Sequence, residues 1–298
     1  MRPEFLVAVL AGLGGMFGWG LADFFAKKTI DEIGDVVSLV LAHLFGATAF
    51  ALLVIGSLAV GSSQFQLPRG LFTWAGLAFF GALQAAVYLL VYRGFGKGQL
   101  ALLNPVFASF SGLTALLSIV FFGEVVVGRL ALGLVVVFAG VLLINVDVGA
   151  LRERRLGFVS VPGFPEIAIA TLLAAVWTIL WDQFVSGKDW LSCAAFMYLF
   201  MTIVLVAAAV LQRLRLRVTR PSVWLWLALI GLCETGAYAA ISWGYASSPH
   251  TSVVALLSGA FSLPTIVLAR LFLRERTTWL QTLASIGIVA GIVLISLG

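Results

Sequence analysis

Apolar runs of roughly 20 residues recur along this chain from end to end, which is the length an α-helix needs to cross the hydrocarbon core of a bilayer. Inside lipid the backbone N–H and C=O groups have no water to bond. A spanning segment must therefore be a helix or part of a closed barrel. Barrel strands alternate apolar and polar residues, and these runs do not. The chain reads as an all-α polytopic membrane protein. Its composition agrees: 62% of residues are hydrophobic and 10% charged, with a mean hydropathy of +1.12, whereas a soluble chain carries about a quarter charged residues. The formal net charge of +5 is no sign of nucleic-acid binding, because the basic residues fall in short loops between the runs.

Hydropathy predicts ten transmembrane helices, at roughly 5–26, 36–58, 72–93, 101–121, 128–146, 165–184, 190–211, 223–245, 251–273 and 279–297. The longest polar, Pro/Gly-containing segment is 147–164, and it divides them five and five. The expected organisation is a first repeat at 1–146, a linker at 147–164 and a second repeat at 165–298. The halves are related in sequence. Trp74, Gly81, Gln84, Tyr88, Gly94 and Phe95 match Trp224, Gly231, Glu234, Tyr238, Gly244 and Tyr245. Segment 121–144 matches 271–295 when Glu124 is set on Glu275, and spans one and six resemble each other more weakly around Trp19 and Trp177. Because five is odd, the second half must run through the membrane upside down. The expected fold is thus two inverted five-helix repeats, a plan common among secondary transporters.

Lys and Arg set the orientation. Loops after odd-numbered spans hold Lys27, Lys28, Arg93, Lys97, Arg152, Arg154, Arg155, Arg213, Arg215, Arg217, Arg220, Arg270, Arg274 and Arg276; the other side holds Arg2, Arg69, Arg129 and Lys188. The positive-inside rule places the odd-numbered loops in the cytoplasm and both termini outside. The first apolar run, with no small-residue cleavage site after it, reads as a retained span.

Ten spans in two five-span halves, a Gly-Glu or Arg-Glu pair closing the fourth span of each half (Gly123-Glu124, Arg274-Glu275), a Trp in the first span of each half (Trp19, Trp177) and the AGVLLI and AGIVLI endings resemble the EamA family of the drug/metabolite transporter superfamily. The resemblance covers essentially the whole chain. It implies a carrier of small metabolites in the inner membrane, often an exporter, working by alternating access. Two departures stand out: His43 occupies the second span where many relatives carry Arg, and Pro105 lies earlier in its span than Pro264 does in the other half. The resemblance also implies cytoplasmic termini, against the charge distribution of this chain.

The candidate substrate-binding residues sit near mid-span. A carboxylate at that depth costs a few kcal/mol on insertion scales, so Glu234 is expected to face a cavity or a partner, where it can carry a proton or meet a cationic group. Gln84 is its counterpart, and its amide suits either substrate hydrogen bonding or interhelical packing. Tyr88 and Tyr238 follow by four positions and share the faces of Gln84 and Glu234. Trp19 and Trp177 are candidates for the same cavity, and His43 for a site or proton role. Trp74, Trp224 and Trp243 read as interfacial belt residues, and Asp23 and Asp182 as helix-end partners of nearby cations. Pro105 and Pro264 are candidate hinges. Gly14/Gly18 and Gly287/Gly291 have spacing for close helix packing, within the bundle or between protomers.

Cys193 and Cys233 both fall within spans and read as buried small hydrophobes. No Cys/His metal cluster, P-loop, HExxH or GxSxG is present, so no cofactor, metal or enzyme chemistry is expected. The leading function is a secondary transporter that moves an amino acid or similar organic solute through a central cavity, with efflux favoured and a proton exchanged at Glu234. A sugar or phosphorylated-metabolite importer is the alternative, and the absence of Lys or Arg at mid-span speaks against it. A membrane enzyme or lipid-handling protein is a third reading. The expected partners are a small-molecule substrate, the lipid bilayer and protons, with the chain as monomer or homodimer.

Overall fold

The computed structural model describes residues 3–60, 65–97, 106–126, 128–144, 162–218, 220–272 and 279–296. Among them six helices are long and apolar enough to cross a membrane: α1 (Pro3–Ile33), α2 (Asp35–Ala59), α3 (Leu71–Lys97), α6 (Phe164–Val185), α7 (Trp190–Leu211) and α8 (Pro221–Ser247). Four shorter apolar segments complete the bundle. They are α4 (Phe110–Phe122) with the turn before it, α5 (Gly128–Ile144), the pair α9 (Thr251–Gly259) and α10 (Ser262–Phe272), and α11 (Trp279–Ser296). Most of the linker 147–164, as well as Pro105 and Glu275, lies outside the described residues.

The packing shows the repeat directly. α1 packs on α8 and α6 on α3; α2 packs on α8 and α7 on α3; α1 packs on α9 and α6 on α4. Each contact recurs when the repeats are exchanged. Three further pairs, α2 with α7, α4 with α9 and α5 with α11, join equivalent segments across the pseudo-twofold axis. Close approach needs residues without side chains. A Cβ on Gly231 would strike the Ala42 carbonyl, the Gly46 nitrogen and Phe45, and one on Gly81 would strike the Met197 carbonyl, the Met201 nitrogen and Phe200. Gly14 and Gly18 pack on Ala240 and Ala237, and Gly291 on Gly133 and Val137, so these glycines serve contacts inside the bundle. Gly287 faces open space. The outer surface exposes Leu52, Ile55, Leu132, Val135, Leu172 and Ile203, as a surface solvated by lipid requires.

Both fourth spans are broken at matched places. In the second half the break is Ala260–Phe261, between α9 and α10. Pro264 has no N–H to offer the Ala260 carbonyl, which accepts instead from Leu263 N at 2.9 Å. In the first half the break is Ser109, the position that the Glu124-on-Glu275 alignment sets on Ala260. Here side chains take up the carbonyls: Ser109 Oγ donates to Val106 O at 2.6 Å and Ser111 Oγ to Ala108 O at 2.9 Å. Gly259 lies directly against Ser111, so the two breaks cross.

One boundary differs from the hydropathy reading. The apolar run of span one stops near Ala26, but α1 continues to Ile33 and ends at Gly34 with φ +83°. Hydropathy marks where the hydrocarbon ends; the helix stops only where glycine permits a left-handed residue. Asp23 is therefore well inside a helix and not at its end.

Candidate functional site

α2, α3, α7 and α8 bring the mid-span polar residues together. Gln84 Nε2 donates to Tyr238 Oη at 2.8 Å, and Tyr238 Oη donates to Tyr88 Oη at 3.3 Å. Glu234 Oε2 accepts from Tyr198 Oη at 3.0 Å and lies 3.5 Å from His43 Nε2. His43 Nδ1 is 2.8 Å from Leu39 O. A carbonyl only accepts, so Nδ1 carries a hydrogen and Nε2 is the nitrogen presented to the carboxylate. One proton can therefore sit on His43 or on Glu234 without changing the pair's net charge. The central polar side chains are buried: His43 is 0%, Glu234 5% and Gln84 8% exposed.

The glycine contacts establish which residues correspond. Ala42 and Gly46 face Gly231 as Met197 and Met201 face Gly81, so His43 corresponds to Tyr198. These two rings stack across the axis, with centroids 5.2 Å apart and planes at 10°. Tyr198 was not a sequence candidate. Histidine and tyrosine at equivalent places leave no visible repeat, and the Leu44-Phe45 and Leu199-Phe200 pairs that follow them are too ordinary in apolar spans to mark one. A second correspondence is corrected. Gly244 packs on Ala11 and Gly94 on Ile167, which sets residue 11 on 167 and hence Trp19 on Ala175, not on Trp177. Trp19 and Trp177 both reach the site, through the same tyrosine ring. Each is edge-on to Tyr238, at 5.7 and 6.3 Å. Trp177 Nε1 is committed to Phe80 O at 3.0 Å. Trp19 Nε1, Gln84 Oε1 and His43 Nε2 are buried and have no hydrogen-bond partner.

Equivalent positions on the two sides of this polar layer are unequally buried. Toward the odd-numbered loops Tyr88 and Tyr92 are half-buried, whereas their counterparts Tyr238 and Ser242 are 0% exposed. Leu21 and Phe25 are half-buried where Trp177 and Trp181 are fully covered, and Val106 and Phe107 half-buried where Leu257 and Ser258 are covered. Asp23, one helical turn beyond Trp19 on α1, is exposed. Side chains around the layer are thus less closely covered toward the odd-loop end.

The even-loop end holds a polar contact between the repeats and several within the second. Gly123, at φ +65°, ends α4 in a left-handed turn that aims Glu124 at the first turn of α9. Its carboxylate accepts from Ser252 N at 3.0 Å, Ser252 Oγ at 2.5 Å and Ser118 Oγ at 2.6 Å. A negative charge there also meets the positive end of the helix dipole. Asp182 bonds Thr251 and Gln183, so its partners are not cations as the sequence reading expected. Trp181 Nε1 donates to Ser242 Oγ at 3.2 Å. Trp224 is 44% exposed, as a belt residue is, whereas Trp74 is half-buried against Phe196 at 4.7 Å. A groove of about 820 Å³ between α2 and α7, lined by Leu44, Ala47, Thr48, Ala51, Leu199 and Ile203 among others, opens on the lipid-facing surface and holds no ionisable group.

The described residues hold ten apolar segments in two crossed halves, with a polar layer at mid-depth, and the family match makes this a membrane transporter of the drug/metabolite type. The model of the EamA-like transporter family matches residues 6–146 and again 163–297, and the chain belongs to that family. A crystal structure described only as "Crystal structure of protein" shares the fold, with TM-score 0.77 and 16% identity over 97% of each chain. Among curated proteins none matches the sequence.

Proposed function

We propose that this protein is a secondary transporter that carries a small organic solute through the Gln84/Glu234 layer by alternating access, with a proton on the His43–Glu234 pair as the coupling species. The unequal burial of repeat-equivalent residues carries this reading. Exchanging the conformations of the two repeats would seal the Tyr88–Tyr92 end and open the Tyr238–Ser242 end, so the fold contains both access states. The repeats 1–146 and 165–298 act as the two units, joined by 147–164. The odd-numbered loops face the cytoplasm, which puts the less covered end of the layer on the cytoplasmic side of the inner membrane with both termini outside; loading from there favours efflux. Tyr88, Tyr238 and Trp19 form aromatic walls, Gln84 and Glu234 supply the polar contacts, and Trp177 backs Tyr238 from the sealed side. Pro264 and the Ser109 break are the bending points.

The test is flux in proteoliposomes under an imposed pH gradient. Glu234→Gln keeps the shape of the side chain and should leave the protein folded while abolishing the pH dependence of transport. Unchanged pH dependence in that variant removes Glu234 as the coupling site. Turnover in detergent, without sealed vesicles, would favour an enzyme instead.

A further inference from the structure

The geometry points to an organic cation as the solute: an ammonium group seated between Asp23 and Glu234, with an apolar or aromatic body against Trp19 and Tyr88. This rests on the transport reading above and narrows it, because a free amino acid would bring a carboxylate into the same place.

Three observations converge. The first is charge. Asp23 lies four positions, one helical turn, beyond Trp19 on the same face of α1, and α1 meets α8 next to Glu234, where Gly18 packs on the Cys233 carbonyl and Ala237. Asp35, at the start of α2, is a further carboxylate at the odd-loop end. Among the described basic side chains at this end, several are engaged elsewhere. Lys28 Nζ sits 4.8 Å over the Trp226 ring, Arg220 pairs with Glu32 at 3.0 Å, and Arg93 acts on Glu166 beside Lys97. His43 can hold at most one positive charge against these carboxylates. The second is an unused acceptor. Gln84 is more than nine-tenths buried and its amide N–H is spent on Tyr238, yet Oε1 has no partner. A buried acceptor left unpaired costs about 1–3 kcal/mol, and an N–H donor on a ligand relieves it. The third is the wall. Trp19 and Tyr88 are half-buried aromatic rings at the layer, and ammonium groups bind aromatic faces best where water is excluded.

The experiment compares three probes of one size that differ only in charge: 2-phenylethylamine, phenylalanine and 3-phenylpropionate. Binding is read by thermal shift on the full-length protein in lipid nanodiscs, and flux in proteoliposomes. The amine should bind at least 10-fold more tightly than phenylalanine, with no stabilisation by the propionate. Asp23→Asn should weaken amine binding at least 10-fold, and Asp23→Glu should restore most of it, which separates lost charge from lost folding. Equal or tighter binding of phenylalanine, binding of the anion, no binding by any of the three, or an unaffected Asp23→Asn variant each overturns the cation assignment. Phenylalanine flux without amine flux would refute the assignment and keep the transporter. Amine binding with no flux in sealed vesicles would keep the cation site and refute transport.

Discussion

Glu124 is the sharpest place to perturb the closed end. It belongs to the first repeat and its partner Ser252 to the second, so the contact joins the units that must separate if that end is to open. Two bonds cross the divide, from Ser252 N at 3.0 Å and Ser252 Oγ at 2.5 Å. Hydrogen bonds to a charged group contribute about 1.5–3 kcal/mol each. Glu124→Ala removes both, and discounting for water entering the gap leaves a loss of about 3 kcal/mol from the sealed arrangement. That is ~100-fold in the ratio of sealed to open molecules. Glu124→Gln keeps one acceptor oxygen and should shift the ratio by about 10-fold. The assay places a cysteine at Ser242, which is 0% exposed, in a background with Cys193 and Cys233 changed to Ser. An impermeant maleimide is then applied to the even-loop face of sealed vesicles. Labelling should be slow with Glu124 present and rise in the order Gln, then Ala. If both variants melt as the parent does and label within twofold of it, the contact does not hold that end shut and the reasoning is wrong.

Other substitutions test the rest of the architecture. Gly231→Val forces a side chain into the Ala42 carbonyl and should cost at least 1–3 kcal/mol by overpacking, seen as a lower melting temperature; Gly287→Ala, which meets nothing, should not. Trp177→Phe should cost about 1 kcal/mol by leaving the Phe80 carbonyl without its donor, whereas Trp19→Phe should leave stability nearly unchanged and weaken ligand binding. Pro264→Ala allows α9 and α10 to join; transport should slow while equilibrium binding holds, and an unchanged rate would make the break a static kink.

The inverted repeat was legible because a duplicated sequence keeps its tryptophans, glycines and mid-span polar residues in register. Gln84, Tyr88, Glu234 and Tyr238 could be placed together on that ground alone. What was not legible lies between helices of unlike sequence. Tyr198 meets Glu234 because α7 packs on α8, and no matched motif links those two helices. Trp19 and Trp177 were matched by residue type, but backbone packing at Gly94 and Gly244 sets the true register two residues away. Glu124 was visible as part of a motif; its partner 128 residues on was not, since the first turn of a helix accepts any nearby anion. Asp23 was misplaced because hydropathy reports lipid contact and not helix length.

The stacked pair His43 and Tyr198 has a consequence for the energetics of the cycle. A carrier built from two identical halves would have two end states of equal energy, each the mirror of the other. Every position where the halves differ adds a difference in free energy between facing one way and facing the other. With histidine opposite tyrosine and glutamine opposite glutamate at the axis itself, the two directions are not equivalent even with no substrate bound. The resting preference of this molecule is therefore written in the mismatches of its duplication, and swapping His43 with Tyr198 together with Gln84 and Glu234 should turn that preference around.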